Sequence, residues 1–531
     1  MSSVAAGSSA NLSSTLISLD LSGTNLQGKF PEDVFHRPFL QRLILSDNYY
    51  LTCNLPKSNW SCTKLTHLDL SFNNFIGQID ASPSKLSELT SLDLSHNNFS
   101  KQIPDVFGNL SKLTQLDLSF NSFSGQLPSS AFNLIQLSLL DFSSNQLEGH
   151  IPCQVSGLSL LTDLRMSDNF LNGRVPCWLF TLPSLGSLYL DNNKLTGPIE
   201  EFHQVVGPLE TVLLGNNKIH GQIPNFMFEL LNLVELDLSS NNLSGCVKSD
   251  MLSNLKNLSF INLSHNPLLS LITHKANFTL PKLFKFNFSS CNITQFPIFL
   301  RTQESLTHLD LSNNRISGKI SELQLELLHN LDHLNHSYNF LTSVNCPRKI
   351  SMMNLMVLDL QSNLLQGPIP VTPDGAPMEI LSLSNNNLTG EISSCICNLS
   401  IIKGLDLSNN SLSGTIPKCL GNFYYLSFLN LGNNNFHGSI AQTIPIRSIQ
   451  YLNLNGNKLE GSMPPTLVNC SYLKVLDVGN NMIKDTFPHC LATLPKLQVL
   501  ILRSNRFHGP IGNPKTRVSF PKLRILDLSH N

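Results

Sequence analysis

One spacing limits what this chain can fold into more than any other feature of its sequence. Between residues 65 and 241, asparagine recurs every 24 residues, at Asn73, Asn97, Asn121, Asn145, Asn169, Asn193, Asn217 and Asn241. Each is preceded by the pattern Leu-x-x-Leu-x-Leu-x-x-Asn, in which another apolar residue sometimes replaces a leucine. A fixed period of this length indicates a protein built from repeated, stacked units.

The alternation of residues inside the pattern predicts a short strand in every unit. Leu68 and Leu70 alternate with Asp69 and Ser71, as in a strand with one buried face. Such a strand cannot bury its apolar face alone, so successive units must stack. The pattern is that of a leucine-rich repeat. The predicted fold class is α/β, a right-handed solenoid with a concave parallel β-sheet and short 3-10 or irregular convex segments.

The residues that recur in each unit have physical roles that can be stated. The eight asparagines should satisfy backbone groups at the bend after each strand, because an amide offers two donors and an acceptor. Thr24 and Cys291 replace asparagine in two other units. Glycine at plus four, as at Gly149, permits a tight backbone path, and proline at plus seven, as at Pro152, suits a position without a ladder N–H.

The repeat extends through the whole chain. Counting from the asparagine phase gives about 22 units of roughly 24 residues between Thr24 and Asn531, so we predict one solenoid over residues 1–531. Residues 266–347 form an irregular tract, in which the Gly-x-Ile-Pro ending is lost and His336 takes a core leucine position. Neither terminus has a polar cap, so the chain is expected to be truncated at both ends.

Composition and motifs exclude several classes of function. The net charge is -1 and only 13% of residues are charged, which argues against nucleic acid as a partner. No apolar run has the length of a membrane segment, and residues 1–10 do not resemble a signal peptide. Nucleophile, zinc-binding and phosphate-binding motifs are lacking. We therefore predict that the chain is not an enzyme and has no cofactor or metal.

Two groups of residues carry a closer resemblance. The ending Leu-x-Gly-x-Ile-Pro at 147–152 and at 412–417 is similar to plant extracellular leucine-rich repeats. The phrase Asp-Thr-Phe-Pro at 485–488, followed by Leu-Ile-Leu-Arg-Ser-Asn-Arg-Phe at 500–507, resembles receptor-like proteins of the disease-resistance type. The resemblance covers nearly the full length of the chain.

The resemblance implies an extracellular ligand-recognition region in defence or developmental signalling. In full-length family members this region lies outside the plasma membrane, ahead of one transmembrane helix and a short tail without a kinase, and acts through partner receptor kinases. A peptide, protein or glycan ligand is expected. Two alternatives remain: a secreted inhibitor of microbial wall-degrading enzymes, and the ectodomain of a receptor kinase.

Candidate ligand contacts are outward strand positions that depart from the chain's usual Asp-x-Ser. In three successive units these are Arg165, Tyr189, Asp191 and Leu213, and near the end they are Ile501 and Arg503. Arg and Tyr are common anchors in recognition. We predict that these six residues include the binding surface; the alternative is ordinary variation of a surface.

Two cysteine pairs are spaced for bridges between neighbouring units. Cys153 and Cys177 occupy the same position in two successive units, here called the same phase, and so do Cys395 and Cys419. Residues of equal phase should lie about one strand spacing apart, within the range of a disulfide. The alternative is that these are small thiols packed in the core.

Asn-x-Ser/Thr sequons mark candidate glycosylation sites at Asn98, Asn109, Asn242, Asn262, Asn287, Asn335, Asn387 and Asn398. Three of them, Asn262, Asn287 and Asn335, take the outward strand position in or beside the irregular tract. Glycans there would cover the concave face of that tract, and ligand contact would then be expected elsewhere.

Overall fold

The computed structural model describes the chain in two compact units, Met1–Pro281 and Lys282–Asn531. A single continuous solenoid over both units stays a proposal. The residues that the structure describes are 14–56, 60–80, 82–202, 207–273, 280–320, 330–344, 354–370, 377–440, 447–511 and 520–531.

The main ladder of the first unit is a parallel sheet whose strands follow one another along the chain in register. Its described strands are Ser18–Asp20, Arg42–Ile44, His67–Asp69, Ser91–Asp93, Gln115–Asp117, Leu139–Asp141, Asp163–Arg165, Ser187–Tyr189, Thr211–Leu213, Glu235–Asp237 and Phe260–Asn262. They occupy the positions that the leucine pattern predicts.

The main ladder of the second unit is built in the same way. Its described strands are Lys285–Asn287, His308–Asp310, His333–Asn335, Val357–Asp359, Ile380–Ser382, Gly404–Asp406, Phe428–Asn430, Tyr451–Asn453, Val475–Asp477, Val499–Ile501 and Ile525–Asp527. The predicted leucine-rich repeat fold is confirmed.

In many coils a second short strand begins just after the asparagine, and these strands pair with one another to form a second parallel ladder. In the first unit Gln27–Lys29 pairs with Tyr50–Thr52, and a longer sheet joins Ile76–Gly77, Asn98–Gln102, Ser122–Gln126, Gln146–His150, Phe170–Gly173, Lys194–Gly197, Lys218–Gln222, Asn242–Lys248 and Leu268–Ile272. In the second unit Ser317–Ile320 pairs with Phe340–Val344, and a further sheet joins Gln366–Gly367, Asn387–Gly390, Ser411–Thr415, Asn435–Ser439, Lys458–Gly461 and Met482–Ile483.

Short helices form the return segments. One is an α-helix, Ser249–Leu252, and the other described helices are 3-10: Glu32–His36, Ser82–Lys85, Phe107–Asn109, Ser129–Asn133, Cys177–Phe180, Asn225–Glu229, Ile298–Thr302, Ser394–Asn398, Lys418–Asn422, Pro465–Asn469 and His489–Thr493. Many start directly after the proline of the Ile-Pro ending or of its Leu-Pro and Val-Pro variants. This proline is the extended residue just before the helix, where its fixed φ fits and its missing N–H costs no ladder bond.

The core is a stack of equivalent side chains. Leu116 and Leu118 are fully buried, as are their equivalents in neighbouring coils. Phe75, Phe99 and Phe123, two residues after the asparagine, form a column with ring centroids 6.1 and 6.0 Å apart. Burial of one such side chain stabilises the fold by about 1.5–3 kcal/mol. Each coil therefore depends on its neighbours for a covered apolar face.

The repeated asparagines, here called ladder asparagines, join neighbouring coils as well as closing their own bend. The Nδ2 of Asn121 donates to the carbonyl oxygens of Leu118 and Ser119 in its own coil and of Leu94 in the preceding coil, at 3.3, 3.0 and 2.9 Å. Its Oδ1 accepts from the N–H of Phe99, also in the preceding coil, at 3.0 Å. One amide thus satisfies four backbone groups of two successive coils.

The glycine four residues after the ladder asparagine is required by the backbone. Gly125 has φ +80°, in the left-handed region that other residues rarely adopt. At the same phase one coil earlier, Lys101 is held at φ +73°. The coils thus keep their path at this position even where the sequence lacks glycine.

The predicted Cys395–Cys419 bridge is wrong, because Cys419 pairs with Cys397 instead, with Cα atoms 5.6 Å apart. Both partners lie in 3-10 helices, Ser394–Asn398 and Lys418–Asn422. Side chains of equal phase on stacked helices point in the same direction and do not meet. Two residues further along a 3-10 helix, a side chain is rotated by about 240°, which turns it toward the next coil.

The predicted Cys153–Cys177 bridge is also not formed, because both residues are exposed free thiols. Cys177 begins the helix Cys177–Phe180, whereas Cys153 lies in a bend without helix. Equal phase in the sequence therefore does not give these two residues equivalent backbone positions.

Candidate ligand-binding face

The outer face of the main ladder is dominated by one repeated hydrogen-bonded turn. Asp117, four residues before its ladder asparagine, accepts through Oδ1 from the N–H and the hydroxyl of Ser119, at 2.9 and 2.6 Å. Asp69 and Ser71 make the same pair of bonds. The recurring Asp-x-Ser therefore closes the strand end, a structural role common in Asx turns.

These carboxylates form a column along the first unit. Asp69, Asp93, Asp117 and Asp141 face one another in register on adjacent strands. Burial raises the pKa of Asp93 to about 6, with smaller contributions from the Asp117 and Asp69 charges. Burial likewise raises the pKa of Asp117 and of Asp141. Asp93, Asp117 and Asp141 consequently hold protons more tightly than free aspartate does.

The column ends at Arg165, where the predicted binding residues begin. Arg165 is in register with Asp141 on one side and with Tyr189 on the other, and Tyr189 is in register with Leu213. The structure thus brings three of the predicted residues side by side on adjacent strands. We call Arg165, Tyr189, Asp191 and Leu213 the arginine patch.

Contacts within the arginine patch hold its two polar anchors in place. The guanidinium carbon of Arg165 lies over the Tyr189 ring, 5.3 Å from its centroid, and Nη2 donates to Asp163 Oδ1 at 3.1 Å. Its Nε is buried and has no hydrogen-bond partner in the described part of the chain. A buried N–H without an acceptor is costly. The side chain as a whole is 42% exposed, so the outer N–H groups of the guanidinium are open to a carboxylate or carbonyl oxygen.

Asp191, the fourth residue of the arginine patch, already has both carboxylate oxygens in hydrogen bonds. Its Oδ1 accepts from the hydroxyl of Ser167 at 2.5 Å, and its Oδ2 accepts from Asn192 Nδ2 at 2.8 Å. Burial raises its pKa. Because both oxygens are already engaged, Asp191 is better suited to orient Ser167 and shape the patch than to bind a ligand directly.

The other two predicted residues lie in the second unit. Ile501 is half-buried and in register with Asp477 and Asp527 on its two neighbouring strands. Arg503 is exposed and approaches Asp527 at 3.9 Å, the outer limit of an ion pair. These side chains form no aromatic contact comparable to that of Arg165, so they are the weaker candidate for recognition.

Sequence analysis missed an aromatic column beside the strands. Phe72, His96 and Phe120, each directly before a ladder asparagine, stack with ring centroids 4.0 and 4.1 Å apart. All three residues have positive φ, which turns the side chain outward, and Phe120 is 50% exposed. The signal was present as Phe-Asn, His-Asn and Phe-Asn at a 24-residue spacing, in a position not searched for binding residues.

The candidate glycosylation sites fall into two groups by exposure. Asn98, Asn109, Asn242, Asn387 and Asn398 are exposed. The group formed by Asn262, Asn287 and Asn335 is half-buried on the strand face, and each Oδ1 accepts from the N–H two residues later. Nδ2 of Asn262 also donates to Asp237. Glycosylation, which uses Nδ2, is therefore better accommodated in the exposed group.

None of the helices in the described part of the chain combines the length and the apolar character that crossing a bilayer requires.

Comparison with known families agrees with the geometry of the coils. One model of the leucine rich repeat matches residues 63–123, 208–268 and 447–507, and a second matches residues 305–326, 378–399 and 402–423. The chain thus contains leucine-rich repeats, and it is similar to plant receptor-like proteins.

Its curated relatives include receptor-like proteins of Arabidopsis thaliana. It is 40% identical to Receptor-like protein 54 over 57% of this chain and 37% of that protein, and 46% identical to Receptor-like protein 47 over 46% of this chain and 30% of that protein. The chain thus spans about a third of the length of these relatives.

Solved structures with the same fold include ligand-bound plant receptors. The crystal structure of PEPR1-AtPEP1 superposes with a TM-score of 0.80 at 28% identity, covering 97% of this chain and 76% of that one. The plant peptide hormone receptor RGFR1 in complex with RGF2 gives 0.73 at 26%, covering 100% and 96%. The Arabidopsis receptor kinase HAESA, in complex with the peptide hormone IDA and the co-receptor SERK1, gives 0.62 at 28%, covering 92% and 91%.

Proposed function

We propose that this chain is an extracellular ligand-recognition region of a plant cell-surface receptor-like protein, and that it binds a peptide or protein without catalysing a reaction. Two solved neighbours are described as receptors of peptide hormones. Identities of 40–46% to receptor-like proteins exceed the 26–28% to these receptors, which favours a receptor-like protein over the ectodomain of a receptor kinase.

The observation that carries the proposal is the alignment of Arg165, Tyr189 and Leu213 on three adjacent strands. In many other coils, aspartate and serine are engaged with one another in strand-end turns. Here a cation, a phenol and an apolar side chain lie side by side, with one buried guanidinium N–H lacking an acceptor. This combination suits a peptide that offers a carboxylate or carbonyl oxygen next to an apolar side chain.

The proposed partners follow from the same face. A peptide in extended conformation would lie across the strands, and the family's signalling suggests that a co-receptor kinase joins the complex, as SERK1 does with HAESA and IDA. The proposed location is the outer side of the plasma membrane.

The experiment is a selection of phage-displayed random peptides on the immobilised 531-residue chain. Enriched peptides should bind the double variant Arg165→Ala/Tyr189→Ala at least about tenfold more weakly, since each anchor is expected to contribute about 1 kcal/mol or more. Arg174→Ala is the matched control, because this arginine is exposed nearby and pairs with Glu200 instead of the patch. Selected peptides that bind the double variant as well as the unmodified chain would refute the assignment of the patch.

A further inference from the structure

A cluster of three potential metal ligands lies at one edge of the main ladder in the second unit. His308 and His333 occupy equivalent positions on adjacent strands, and Asp332 directly precedes His333. Their ligand atoms all lie within 4.8 Å of one another. No sequence motif marks the site, because the ligands are 24 and 25 residues apart and meet only through the stacking of two coils.

The geometry converges on one oxygen atom. Asp332 Oδ1 lies 2.9 Å from His333 Nδ1 and 3.2 Å from His308 Nδ1. The two imidazole rings are stacked, with centroids 4.4 Å apart and an interplanar angle of 8°. Two nitrogens and one carboxylate oxygen therefore lie close enough together to share one ion. Small side-chain rotations would bring all three atoms to the usual metal–ligand distances of about 2.0–2.2 Å.

A metal ion binds the neutral form of imidazole. Burial lowers the pKa of His308, and the neighbouring His333 and Lys285 act in the same direction against the opposing charge of Asp332. The three side chains are 33%, 26% and 45% exposed for His308, Asp332 and His333, so an ion can reach them from solvent.

The site opens onto a pocket of about 330 Å³ on the strand face. Asp310 and Asp359 line the same pocket, at the aspartate positions of their coils, together with Asn287 and Asn335. A metal held by three protein ligands keeps a fourth position free for water or for a ligand atom. That position would lie at the mouth of this pocket.

We propose that His308, Asp332 and His333 bind a divalent transition-metal ion of the Zn²⁺ class. The ion joins two successive coils inside the irregular tract and presents an open coordination position to the outer face. Two nitrogens with one oxygen suit Zn²⁺ or Cu²⁺, whereas Ca²⁺ and Mg²⁺ require six or more ligands that are mainly oxygen. This site is separate from the arginine patch, and its test is independent of the proposed function.

The test is calorimetric titration of Zn²⁺ into the metal-free 531-residue chain at pH 7. One saturable site is expected, with His308→Ala and His333→Ala each weakening it at least tenfold. His437→Ala, which removes an exposed histidine of the same unit, should leave the site unchanged. Ca²⁺ should not compete. Lack of a saturable site, or equal Zn²⁺ affinity in the His308→Ala/His333→Ala double variant, would overturn the proposal.

A second measurement does not depend on the folding of any variant. Co²⁺ bound to the unmodified chain should show the visible absorption of a four-coordinate site and be displaced by one equivalent of Zn²⁺. The melting temperature of the unmodified chain should rise with Zn²⁺, because the ion binds the folded state selectively. A Co²⁺ spectrum of purely octahedral aqueous type at saturating chain would contradict the assignment.

Discussion

In the regular tract, residues 65–241, successive coils are joined by the main ladder, by a ladder asparagine and, over most of its length, by a second ladder. In the irregular tract, residues 266–347, the main-ladder strands persist and Asn266, Asn314 and Asn339 keep their ladder hydrogen bonds, while other repeated features are lost. Glycine is replaced by serine at plus four, as at Ser270 and Ser343, and Cys291 stands at an asparagine position. No second strand lies between Cys291 and Pro297 in this described stretch.

The clearest difference lies in the core. Where the regular tract buries leucine, methionine or phenylalanine, the irregular tract buries His336, which is 1% exposed and packs near Phe296. Neither ring nitrogen has a hydrogen-bond partner in the described part of the chain, and burial lowers the His336 pKa to about 4. The strand His333–Asn335 therefore forms although the core position directly after it holds a histidine.

The largest expected effect is at His336. His336→Leu should raise the free energy of unfolding by about 2 kcal/mol at pH 7, because it removes two unsatisfied buried nitrogens. The gain should reach about 4 kcal/mol at pH 5. The folded histidine, with its lowered pKa, stays neutral there while the unfolded histidine binds a proton, so native stability is lost as pH falls from 6.5 toward 4.

Urea unfolding at both pH values measures this gain in the free energy of unfolding. Hydrogen exchange of the amides in the strand His333–Asn335 shows whether the gain is located in this coil. Leu334→Met, a conservative change at the neighbouring buried position, controls for repacking. Equal stability of the His336→Leu variant and the unmodified chain at pH 5 would show that the irregular tract is not weakened by its histidine.

The next effect tests the connections of the regular tract. Asn145→Ala removes donation to Leu118, Phe142 and Ser143 and acceptance from Phe123 N–H, and should cost about 3 kcal/mol. Denaturant midpoints together with exchange at the Phe123 amide measure the loss. The control is Asn109→Ala, at an exposed helix position, which should change stability by less than about 0.5 kcal/mol. Similar losses in both variants would contradict the role of the ladder asparagine.

A smaller effect compares two residues at the same phase. Gly125→Ala should destabilise the chain by about 1 kcal/mol, because a side chain at φ +80° is strained and its Cβ would meet Gln102 Cγ at 3.3 Å. Lys101→Gly should stabilise it by up to about 1 kcal/mol, since φ is already +73° there. A lower melting temperature for Gly125→Ala and a higher one for Lys101→Gly would support the requirement for glycine at this position. A lower melting temperature in both variants would contradict it.

The smallest effect concerns the carboxylate column. The pKa of Asp93 is raised to about 6 in the folded chain, so between pH 3.8 and 6 the folded state keeps a proton that the unfolded state has lost. Native stability therefore falls as pH rises through this window and is level above it. Asp93→Asn should flatten the slope, by less than about 1 kcal/mol after solvent screening, and it keeps the turn because Asn287 makes the same bond to Ser289.

Stability measured from pH 3.5 to 7 tests this effect, with Asp20→Asn as a contrasting control. Serine hydrogen bonds lower the Asp20 pKa, so replacing that carboxylate should remove stability that is present above pH 3.8 and lost below it. Parallel pH profiles for Asp93→Asn and the unmodified chain would exclude a buried carboxylate column.

The sequence was sufficient to predict the features that are determined within a single coil, above all the position of its strand. Leucine alternation fixed the strand positions, such as Gln115–Asp117, because burial of one face allows only one phase. It did not predict contacts whose geometry depends on how side chains of adjacent coils point. The Cys397–Cys419 bridge, the Phe72–His96–Phe120 column and the reach of Asn121 into the preceding coil belong to this class.

The binding residues were predicted by departure from a repeated pattern, and the outcome depends on the residue. Arg165, Tyr189 and Leu213 do lie together, because equal phase on neighbouring strands does give adjacency for outward side chains. Asp191 is instead engaged with Ser167. His308, Asp332 and His333 escaped notice because Asp332 precedes the strand, outside the outward positions compared.

The central claim is that repeated residues hold the coils while non-repeated outward residues bind ligand. Hydrogen–deuterium exchange of the chain, with and without a peptide selected on it, tests this claim directly. Added protection should concentrate in Asp163–Arg165, Ser187–Tyr189 and Thr211–Leu213 and on the segments that follow them. Protection confined to the return helices, or spread evenly over all coils, would contradict it.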